Sequence, residues 1–326
     1  MNELFLNDAG DGLSRKVAIS RSGPVRVAAI HDEEWIEGEP LAGRDGFIRS
    51  LPTGLPADIF AFARPIPECE PCYPFHFEWD NVAVASLANG FDRWWNGLPQ
   101  ETRKNVRRSQ RRGVAVERVP FGDALIRGIG DIYNETPIRQ GRKFRHYGKS
   151  LDQVKAENAT YLDRSEFIGA FFNGELIGFT KFVMVNNVAR IMQIVSRADQ
   201  TDKRPTNALL AKAVEICCDK PASHLVYGKY VYGKKENSPV TEFKKRNGFE
   251  RLSFPRYYIP LTRLGSYALR WGLHRGLAHF MPEAVTNLFL TARAVVYRRR
   301  FGVPERISKT VDPGKNLAAG HSRTAI

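Results

Sequence analysis

The chain has 326 residues, a formal net charge of +14, 43% hydrophobic residues and 11% aromatic residues. This length suffices for two packed domains, and the apolar content predicts a hydrophobic core and excludes a chain that is disordered throughout. No run of the sequence reaches the roughly 18 to 20 apolar residues of a membrane-spanning helix. The first residues, MNELFLNDAGDGL, include acidic side chains and no apolar segment, so they do not predict a secretory signal. A cytoplasmic location is therefore expected.

The positive charge is concentrated in two segments. Residues 99–113 carry six Lys and Arg residues against one Glu, a net of +5, and residues 261–326 carry eleven against three acidic residues, a net of +8. The rest of the chain is nearly neutral. This distribution indicates local recognition of anions rather than a surface that coats nucleic acid.

The four cysteines predict no disulfide framework. Cys69 and Cys72 have CxxC spacing, but no second pair follows at ligand spacing, and Cys217 and Cys218 are neighbours on a predicted helix, where their side chains diverge. We expect no metal. Zinc or redox chemistry at Cys69 and Cys72 is the weaker alternative.

The first third of the chain predicts strands and then one helix. Between Lys16 and Leu87, short runs rich in β-branched and aromatic residues are separated by Gly, Pro and Asp. Residues 91–113 predict a helix that ends at Gly113. Its cations recur at helical spacing on one broad face: Arg103, Lys104, Arg107, Arg108, Arg111 and Arg112. The alternatives for this face are simple solvation, or binding of tRNA, anionic lipid or a lipid-linked substrate.

The remaining pattern predicts an α+β layer fold. Its predicted strands cover residues 114–119, 167–173, 176–185, 188–196, 225–231 and 249–260. Its predicted helices cover residues 121–134, 150–164, 205–219 and 239–248. Asn173-Gly174 predicts a tight hairpin turn, and residues 136–148 predict a loop or broken helix. Residues 264–301 predict a helical hairpin broken at Met281-Pro282 and followed by a disordered tail.

A basic loop opens the helix at residues 205–219. Backbone N–H groups at a helix N-terminus bind phosphate, and Lys203 and Arg204 add charge there. Thr206 and Asn207 offer side-chain donors, and the small Ala208 follows them. The alternative is an ordinary capped helix that basic residues precede.

A second motif follows downstream. Asn237 and Val240 precede Gly248-Phe249, and Lys244 lies between them. Together the two motifs resemble those of the GNAT acyl-CoA N-acyltransferase superfamily, and more narrowly its FemAB-like or BioF2-like branch. The first resembles the pyrophosphate loop Q/R-x-x-G-x-G/A, with Thr206 in place of a glycine. The second resembles N-x-x-A-x-x-x-Y-x-x-x-G-F, with Lys244 in place of the tyrosine general acid.

The resemblance, which covers about residues 90–262, implies a GNAT-like α+β fold. Its sheet would be mixed and mainly antiparallel, with helices on both faces. The implied activity is N-acyl transfer by direct attack of an amine on a thioester. The implied co-substrate is an acyl-CoA, first of all acetyl-CoA, without a metal. The acceptor would be an amine on a cell-envelope or polysaccharide precursor or a small metabolite. The alternatives are a FemAB-like aminoacyl-tRNA-dependent transferase and an inactive GNAT-scaffold binding module.

The resemblance also implies site residues. The strand at residues 188–196 would separate from its neighbour, and a backbone N–H near Val195 would polarise the acyl carbonyl. The residues expected to hold the co-substrate are Val195, Lys203, Arg204, Thr206, Asn207, Ala208 and Asn237.

The catalytic candidates are Glu135, His146 and Gln193. Glu135 is a candidate general base, and the ordinary pKa of His146 suits proton transfer near neutral pH. Gln193 stands where some GNAT enzymes have a glutamate base, but an amide cannot accept the proton. Lys244 is expected on the helix surface, which leaves water or His146 to protonate the departing thiolate. The structural alternative for each candidate is a solvated or packing side chain.

These patterns predict five segments. Residues 1–14 would be disordered, residues 15–119 a β-rich half, residues 120–262 the acyltransferase domain, residues 263–303 a helical extension and residues 304–326 a tail. FemAB-like proteins are built as duplications, so residues 15–119 could be a degenerate copy. An anionic membrane surface or tRNA would bind through Arg103–Arg112 and the C-terminal helices, with the protein peripheral to the inner membrane face. The oligomeric state stays open.

Overall fold

The computed structural model describes residues 4–7, 14–30, 55–139, 142–220, 222–232, 238–276 and 296. The strands, numbered in chain order, are β1 (Leu4–Asn7), β2 (Ser14–Ser22), β3 (Val25–Ile30), β4 (Ile59–Ala63), β5 (His76–Ser86), β6 (Ala115–Arg118), β7 (Ile138–Arg139), β8 (Arg142–Lys143), β9 (Ser165–Phe172), β10 (Glu175–Val185), β11 (Val188–Ser196), β12 (His224–Val226) and β13 (Glu250–Pro260). The helices are α1 (Gly90–Gly97), α2 (Gln100–Arg111), α3 (Asp123–Asn134), α4 (Leu151–Asn158), α5 (Pro205–Asp219), α6 (Pro239–Arg246) and α7 (Arg263–Arg270).

The chain folds into two compact units. Unit 1 comprises Met1–Ala83 and Arg251–Thr286, and unit 2 comprises Val84–Glu250 and Asn287–Ile326. The expected domain boundary after residue 119 falls inside unit 2, and the one after residue 262 falls inside unit 1. The duplication remains a prediction, and both the helical hairpin beyond residue 276 and the C-terminal tail lie outside the described residues.

Unit 1 is a β-structure with one described α-helix packed on it. Its strands follow the order β1–β2–β3–β4–β13, with β3 and β4 parallel and the other neighbours antiparallel. All five residues of β4 are buried, and Phe60 and Phe62 pack with Tyr257 of β13 in the core. Ala268 of α7 packs against Val25 and Ile59. The apolar side chains of β4 thus hold the unit together.

Unit 2 contains a sheet with helices on both of its faces. The end of β5 is followed in the sheet by β12, β11, β10, β9 and β6, and only β11 and β12 pair in parallel. Phe179 of β10 packs with Leu125 and Ile129 of α3, whereas Gly178 faces Leu209 of α5. Neighbouring strand residues point to opposite faces, so α3 and α5 cover different faces. The predicted α+β fold with a mainly antiparallel sheet is confirmed.

Local signals set several boundaries. Pro205 begins α5 as predicted, since a first helical residue needs no N–H. Asn173 and Gly174 adopt φ values of 51° and 81°, which the predicted hairpin turn requires. The single helix predicted for residues 91–113 is instead two helices, α1 and α2. Leu98 is extended between them, because the residue before a proline avoids helical backbone angles, and here Pro99 follows.

Two further predicted elements are shorter than expected. The helix predicted to reach residue 164 ends at Asn158, where the buried Lys181 Nζ binds the carbonyl oxygens of Asn158 and Thr160 at 3.0 and 2.5 Å. The strand predicted for residues 225–231 is only the three-residue β12. All four cysteines are free. In the part of the chain that the structure describes, no helix is long and apolar enough to cross a bilayer.

Candidate active site

Strand β11 separates from β12 partway along its length. The parallel pairing joins Val188–Arg190 to His224–Val226, and no later pair of these two strands occurs among the described residues. On its other side, β11 stays paired with β10 as far as Ser196. The later residues of β11 therefore have an open backbone edge. The predicted separation of this strand from its neighbour is confirmed.

A cavity of about 400 Å³ lies at this separation. Its walls are formed by Ile191–Val195 of β11, by the segment Lys143–His146 and by Tyr227. The volume is within the range of roughly 300 to 1,000 Å³ that is typical of small-molecule sites. The lining places apolar side chains beside a few polar groups, so the cavity suits an organic group with a polar centre.

The register of β10 and β11 shows which backbone groups face the open edge. Arg197 N donates to Ile177 O at 2.8 Å, and hydrogen-bonded pairs alternate along an antiparallel ladder. Phe179 and Val195 lie two residues from Ile177 and Arg197 on their strands, so they also form a hydrogen-bonded pair. The Val195 N–H therefore points into the ladder and is not itself the free donor that was predicted near Val195. Ile194 lies next to Val195, in a pair that is not hydrogen-bonded, so its N–H points away from β10 and toward the open edge.

The open edge begins at a β-bulge. Lys181 pairs with Gln193 and Phe182 pairs with Ile191, so Met192 is one extra residue in β11. Bulges bend a strand, increase its twist and often occur next to active sites. The bulge thus accompanies the separation of β11 from β12.

His146 is buried in the cavity wall and is held by its charged neighbours. Arg145 Nε donates to His146 Nε2 at 2.8 Å, and His146 Nδ1 lies 3.2 Å from Glu157 Oε2. Because a guanidinium N–H only donates, His146 Nε2 accepts this hydrogen bond through its lone pair. Lys149 Nζ also contacts Glu157 and lies 3.1 Å from Nδ1.

These surroundings keep the imidazole of His146 neutral. Burial, followed by the charges of Lys149 and Arg145, lowers the pKa of His146 to about 4. At neutral pH a group of this pKa is unprotonated, so it does not suit the expected role of protonating a departing thiolate. Gln193 Nε2 lies 3.4 Å from His146 Nε2, which brings two of the predicted residues together in the cavity.

Tyr133, which the sequence analysis did not identify, is fully buried and packs against His146 behind the cavity wall. Its ring lies 4.4 Å from the ring of His146, and Asn158 and Gln193 lie beside its hydroxyl. Burial raises the pKa of Tyr133 to about 12, so the hydroxyl stays protonated.

The carboxylate of Glu135 binds backbone N–H groups just after β11, and Glu135 is not among the residues that line the cavity. Its two carboxylate oxygens accept from Ala198 N at 2.8 Å and Asp199 N at 3.0 Å, and Arg139 Nη2 donates to it at 3.0 Å. Arg139 Nη1 in turn donates to Ser196 O at 2.6 Å. The carboxylate is occupied by these donors, so its contacts support a positioning role more than the predicted role of general base.

The predicted phosphate-binding turn satisfies much of its own hydrogen bonding. The N–H groups of Asn207 and Ala208 donate to Arg204 O at 3.2 and 3.4 Å, and Pro205 has no N–H. Thr206 Oγ1 is 2.9 Å from Ser196 Oγ. The side chain of Asn207 is buried and donates to Asn247 Oδ1 at 3.0 Å, so it does not face solvent.

Two cations remain at this turn. Lys203 Nζ lies 4.5 Å from the centre of the Phe172 ring and 3.7 Å from Asp202. Arg204 has a left-handed backbone with φ of 57°, and its Nε is buried without a hydrogen-bond partner among the described residues. An unpaired guanidinium nitrogen fits an anionic group. Asn237, the remaining predicted co-substrate residue, lies outside the described residues.

Lys244 is buried, and the prediction that it lies on the helix surface is wrong. Only 1% of the residue is exposed, and Nζ donates to Tyr227 O and Lys229 O at 2.6 Å each. The ammonium group also lies 4.5 Å from the centre of the Tyr227 ring. Burial lowers the pKa of Lys244 to about 8. Lys244 thus fixes the segment after β12, which carries the cavity residue Tyr227.

Comparisons with known proteins agree with this arrangement of strands. No protein-family model matches the chain, and no curated protein matches its sequence. Among solved structures, FemX aligns with a TM-score of 0.57 and 10% identity, over 82% of this chain and 90% of FemX. L-PGS from Bacillus licheniformis aligns with a TM-score of 0.51 and 13% identity, over 83% of this chain and 88% of L-PGS.

The chain has a fold like those of FemX and L-PGS. A tandem GNAT protein from the clavulanic acid biosynthesis pathway also aligns, with a TM-score of 0.43 and 11% identity, over 77% of this chain and 80% of that protein. At such low identities these likenesses show the fold alone. The activity has to be argued from the cavity at the open edge of β11.

Proposed function

We propose that this protein is an N-acyltransferase and that the acyl carbonyl of its donor binds in the gap between β11 and β12. The observation that carries the proposal is the open edge of β11, where residues Ile191–Val195 line a cavity of about 400 Å³. A carbonyl oxygen there would accept from the Ile194 N–H, in the way a substrate strand pairs with a sheet edge.

The reaction would be direct attack of a neutral amine on that carbonyl. Negative charge develops on the oxygen as the tetrahedral intermediate forms, and a donor already in place stabilises it without reorganisation. The C–N bond forms and the bond to the leaving sulfur or oxygen breaks. The amine proton passes to water, and water returns a proton to the oxygen of a departing alcohol. No covalent intermediate on the protein is required.

The first candidate donor is an acyl-CoA. The turn before α5 supports it through the buried, unpaired Nε of Arg204 and through Lys203, which together could bind a pyrophosphate. The internal hydrogen bonds of Asn207 and Ala208 leave fewer backbone donors for phosphate than a helix N-terminus ordinarily offers. Acetyl-CoA is the simplest member of this class to assay.

The second candidate donor is an aminoacyl-tRNA. The observation that favours it is the position of the basic helix α2. Arg112, just beyond α2, donates through Nη1 to Asp202 O at 2.8 Å, so the cationic face of α2 adjoins the turn before α5. Lys104, Arg107 and Arg111 are exposed on this helix. A row of exposed cations suits a nucleic-acid backbone.

Binding measurements with two variants distinguish the donors. We expect Arg204→Asn, which removes the cation but tolerates the left-handed backbone, to weaken acetyl-CoA binding about tenfold if acyl-CoA is the donor. Charge reversal of Arg107 and Arg111 should leave that affinity unchanged. If aminoacyl-tRNA is the donor, the charge reversal should weaken tRNA binding and flatten its dependence on salt.

Calorimetry with acetyl-CoA and filter binding with tRNA provide the two readouts. A protein that binds neither donor would favour the third reading, a GNAT-like scaffold without transfer activity. We propose that the acceptor amine belongs to a cell-envelope precursor or to a small metabolite. Contact of the C-terminal helices with a membrane surface also stays a prediction, since most of those residues lie outside the described part of the chain.

A further inference from the structure

A second group of ionisable side chains lies in unit 1. His76 and Glu78 are two residues apart on β5 and therefore point to the same side of the strand. His274 Nε2 lies 2.8 Å from Glu78 Oε1, and His76 Nε2 lies 3.6 Å from the same oxygen. One nitrogen or oxygen atom from each of the three residues lies within 4.8 Å of the others.

A backbone carbonyl orients His274, the more deeply buried histidine of this group. His274 Nδ1 lies 3.3 Å from Ala268 O, and a carbonyl can only accept, so Nδ1 carries a proton. In the neutral imidazole, the Nε2 lone pair would then face a carboxylate oxygen at 2.8 Å. A metal ion bound between these two acceptors would satisfy both.

The remaining neighbours hold the other groups in place. Arg275 donates to Glu78 Oε1 at 2.9 Å, and the ring of Tyr258 lies 4.8 Å from that of His274 and 6.1 Å from that of His76. Ligands of metal sites are commonly oriented by such outer contacts, from a carbonyl to the histidine and from a donor to the carboxylate. The group therefore has an outer layer of contacts as well as three potential ligands.

We propose that His76, Glu78 and His274 bind a divalent transition metal, of which Zn²⁺ fits this ligand set best. Two imidazoles and one carboxylate are a common set of protein ligands for zinc, with bonds of about 2.0 to 2.2 Å. Ligand atoms on one tetrahedral zinc lie roughly 3.3 Å apart by that geometry. The observed separations of 2.8 and 3.6 Å from Glu78 Oε1 to the two histidine nitrogens are close to this distance.

The group joins distant parts of the chain and is open to solvent on one side. His76 is exposed over 46% of its side chain, which leaves room for water as a fourth ligand, whereas His274 is exposed over only 2%. Glu78 and His274 are 196 residues apart in sequence. A metal here would join the two chain segments that make up unit 1, and its binding energy would add to the stability of that unit.

Zinc titration of the full chain, without a polyhistidine tag and after treatment with a chelator, tests the proposal. We expect one Zn²⁺ per chain by calorimetry and a melting temperature that rises with zinc concentration. Because His76 is half exposed, His76→Gln should fold normally, and we expect it to lose at least tenfold in zinc affinity. Arg275→Gln keeps all three ligands but loses an outer contact, so about tenfold weaker binding with unchanged stoichiometry is expected.

His224→Gln is the matched control, since His224 lies in unit 2 outside the group. It should bind zinc as the unaltered protein does. The proposal is overturned if no saturable zinc binding occurs, or if His76→Gln and His224→Gln bind zinc equally well. Zinc affinity that falls by the same factor in both variants would indicate adventitious binding to surface histidines. None of these readouts depends on transfer activity.

Discussion

The two walls of the cavity in unit 2 use their polar groups in opposite ways. On β11, the open edge after Arg190 leaves backbone groups without a partner strand. In the opposite wall, the charged side chains bind one another: Arg145 contacts His146, and Glu157 contacts both His146 and Lys149. This contrast indicates that the backbone N–H groups of β11, more than the ionisable side chains, are available to contact a substrate in this cavity.

The strongest test of this contrast is Ile194→Pro. Proline removes the N–H that points to the open edge, and Ile194 N–H makes no ladder bond with β10, so the sheet is expected to survive. Loss of one such donor costs roughly 10²- to 10³-fold in kcat for enzymes that stabilise an oxyanion. A steady-state transfer assay measures the effect.

Ile194→Val is the matched control, because it trims the side chain and keeps the N–H. We expect it to retain most of the rate. Equal activity of the valine and proline variants, with both folded by circular dichroism, would show that the open edge of β11 does not carry the reaction.

The second test concerns Lys244, which fixes the Tyr227 side of the cavity. Its pKa is about 8 in the native protein against 10.5 ordinarily, so between these values only the unfolded chain holds the proton. The free energy of unfolding should therefore rise with pH in this window, by about 2 kcal/mol between roughly pH 7.5 and 9.5. Lys244→Met should lack this rise, which urea unfolding at the two pH values measures.

The exposed neighbour Lys245 supplies the control for that experiment. Lys245→Met should keep the pH dependence of the unaltered protein. If Lys244→Met and the unaltered protein gave parallel stability curves, the ammonium group would not be buried as described. The same variant also reports on the cavity, since Tyr227 O and Lys229 O would lose their donor.

The smallest effect on rate is expected for His146→Gln. Because the imidazole is already neutral and bound by its neighbours, transfer at pH 7 should change by less than about threefold. The rate should also show no ionisation of His146 near its ordinary pKa of 6.5. A fall of tenfold or more would identify His146 as the general base and would contradict the contrast between the walls.

Stability gives an independent check on His146. Its native pKa of about 4 lies below the ordinary 6.5, so only the unfolded chain binds a proton between these values. The native state is then destabilised as pH falls through this window. His146→Gln should lose part of this acid sensitivity, which unfolding at about pH 7 and pH 5 would reveal.

Local patterns predicted much of the fold. The bounds of α5 follow from Pro205 and the apolar residues after it, and the hairpin of β9 and β10 follows from Asn173-Gly174. The separation of β11 was predicted from a family resemblance, not from the strand's own residues. The break between α1 and α2 could have been read from Pro99, which forces the preceding residue out of helical geometry.

The details of the site depend on contacts between distant residues, which local patterns do not contain. Lys244 stands in a Lys-Lys-Arg run that reads as a solvated face, yet backbone carbonyls 15 and 17 residues away bind it in the interior. A faint signal was available, since Thr241 and Asn247 lie three residues to either side and both are buried. The occupied carboxylate of Glu135 likewise depends on residues 63 and 64 positions later.

The division of unit 1 into two chain segments has a consequence for synthesis on the ribosome. β4 pairs with β13, so this strand pair cannot form until the whole of Val84–Glu250 has been translated. At about 5 to 20 residues per second, that delay is roughly 10 to 30 s. The segment Val84–Glu250 of unit 2 thus emerges before β13, while the hydrophobic residues of β4 still lack this partner strand. A chaperone that binds nascent chains would have its longest opportunity at Ile59–Ala63.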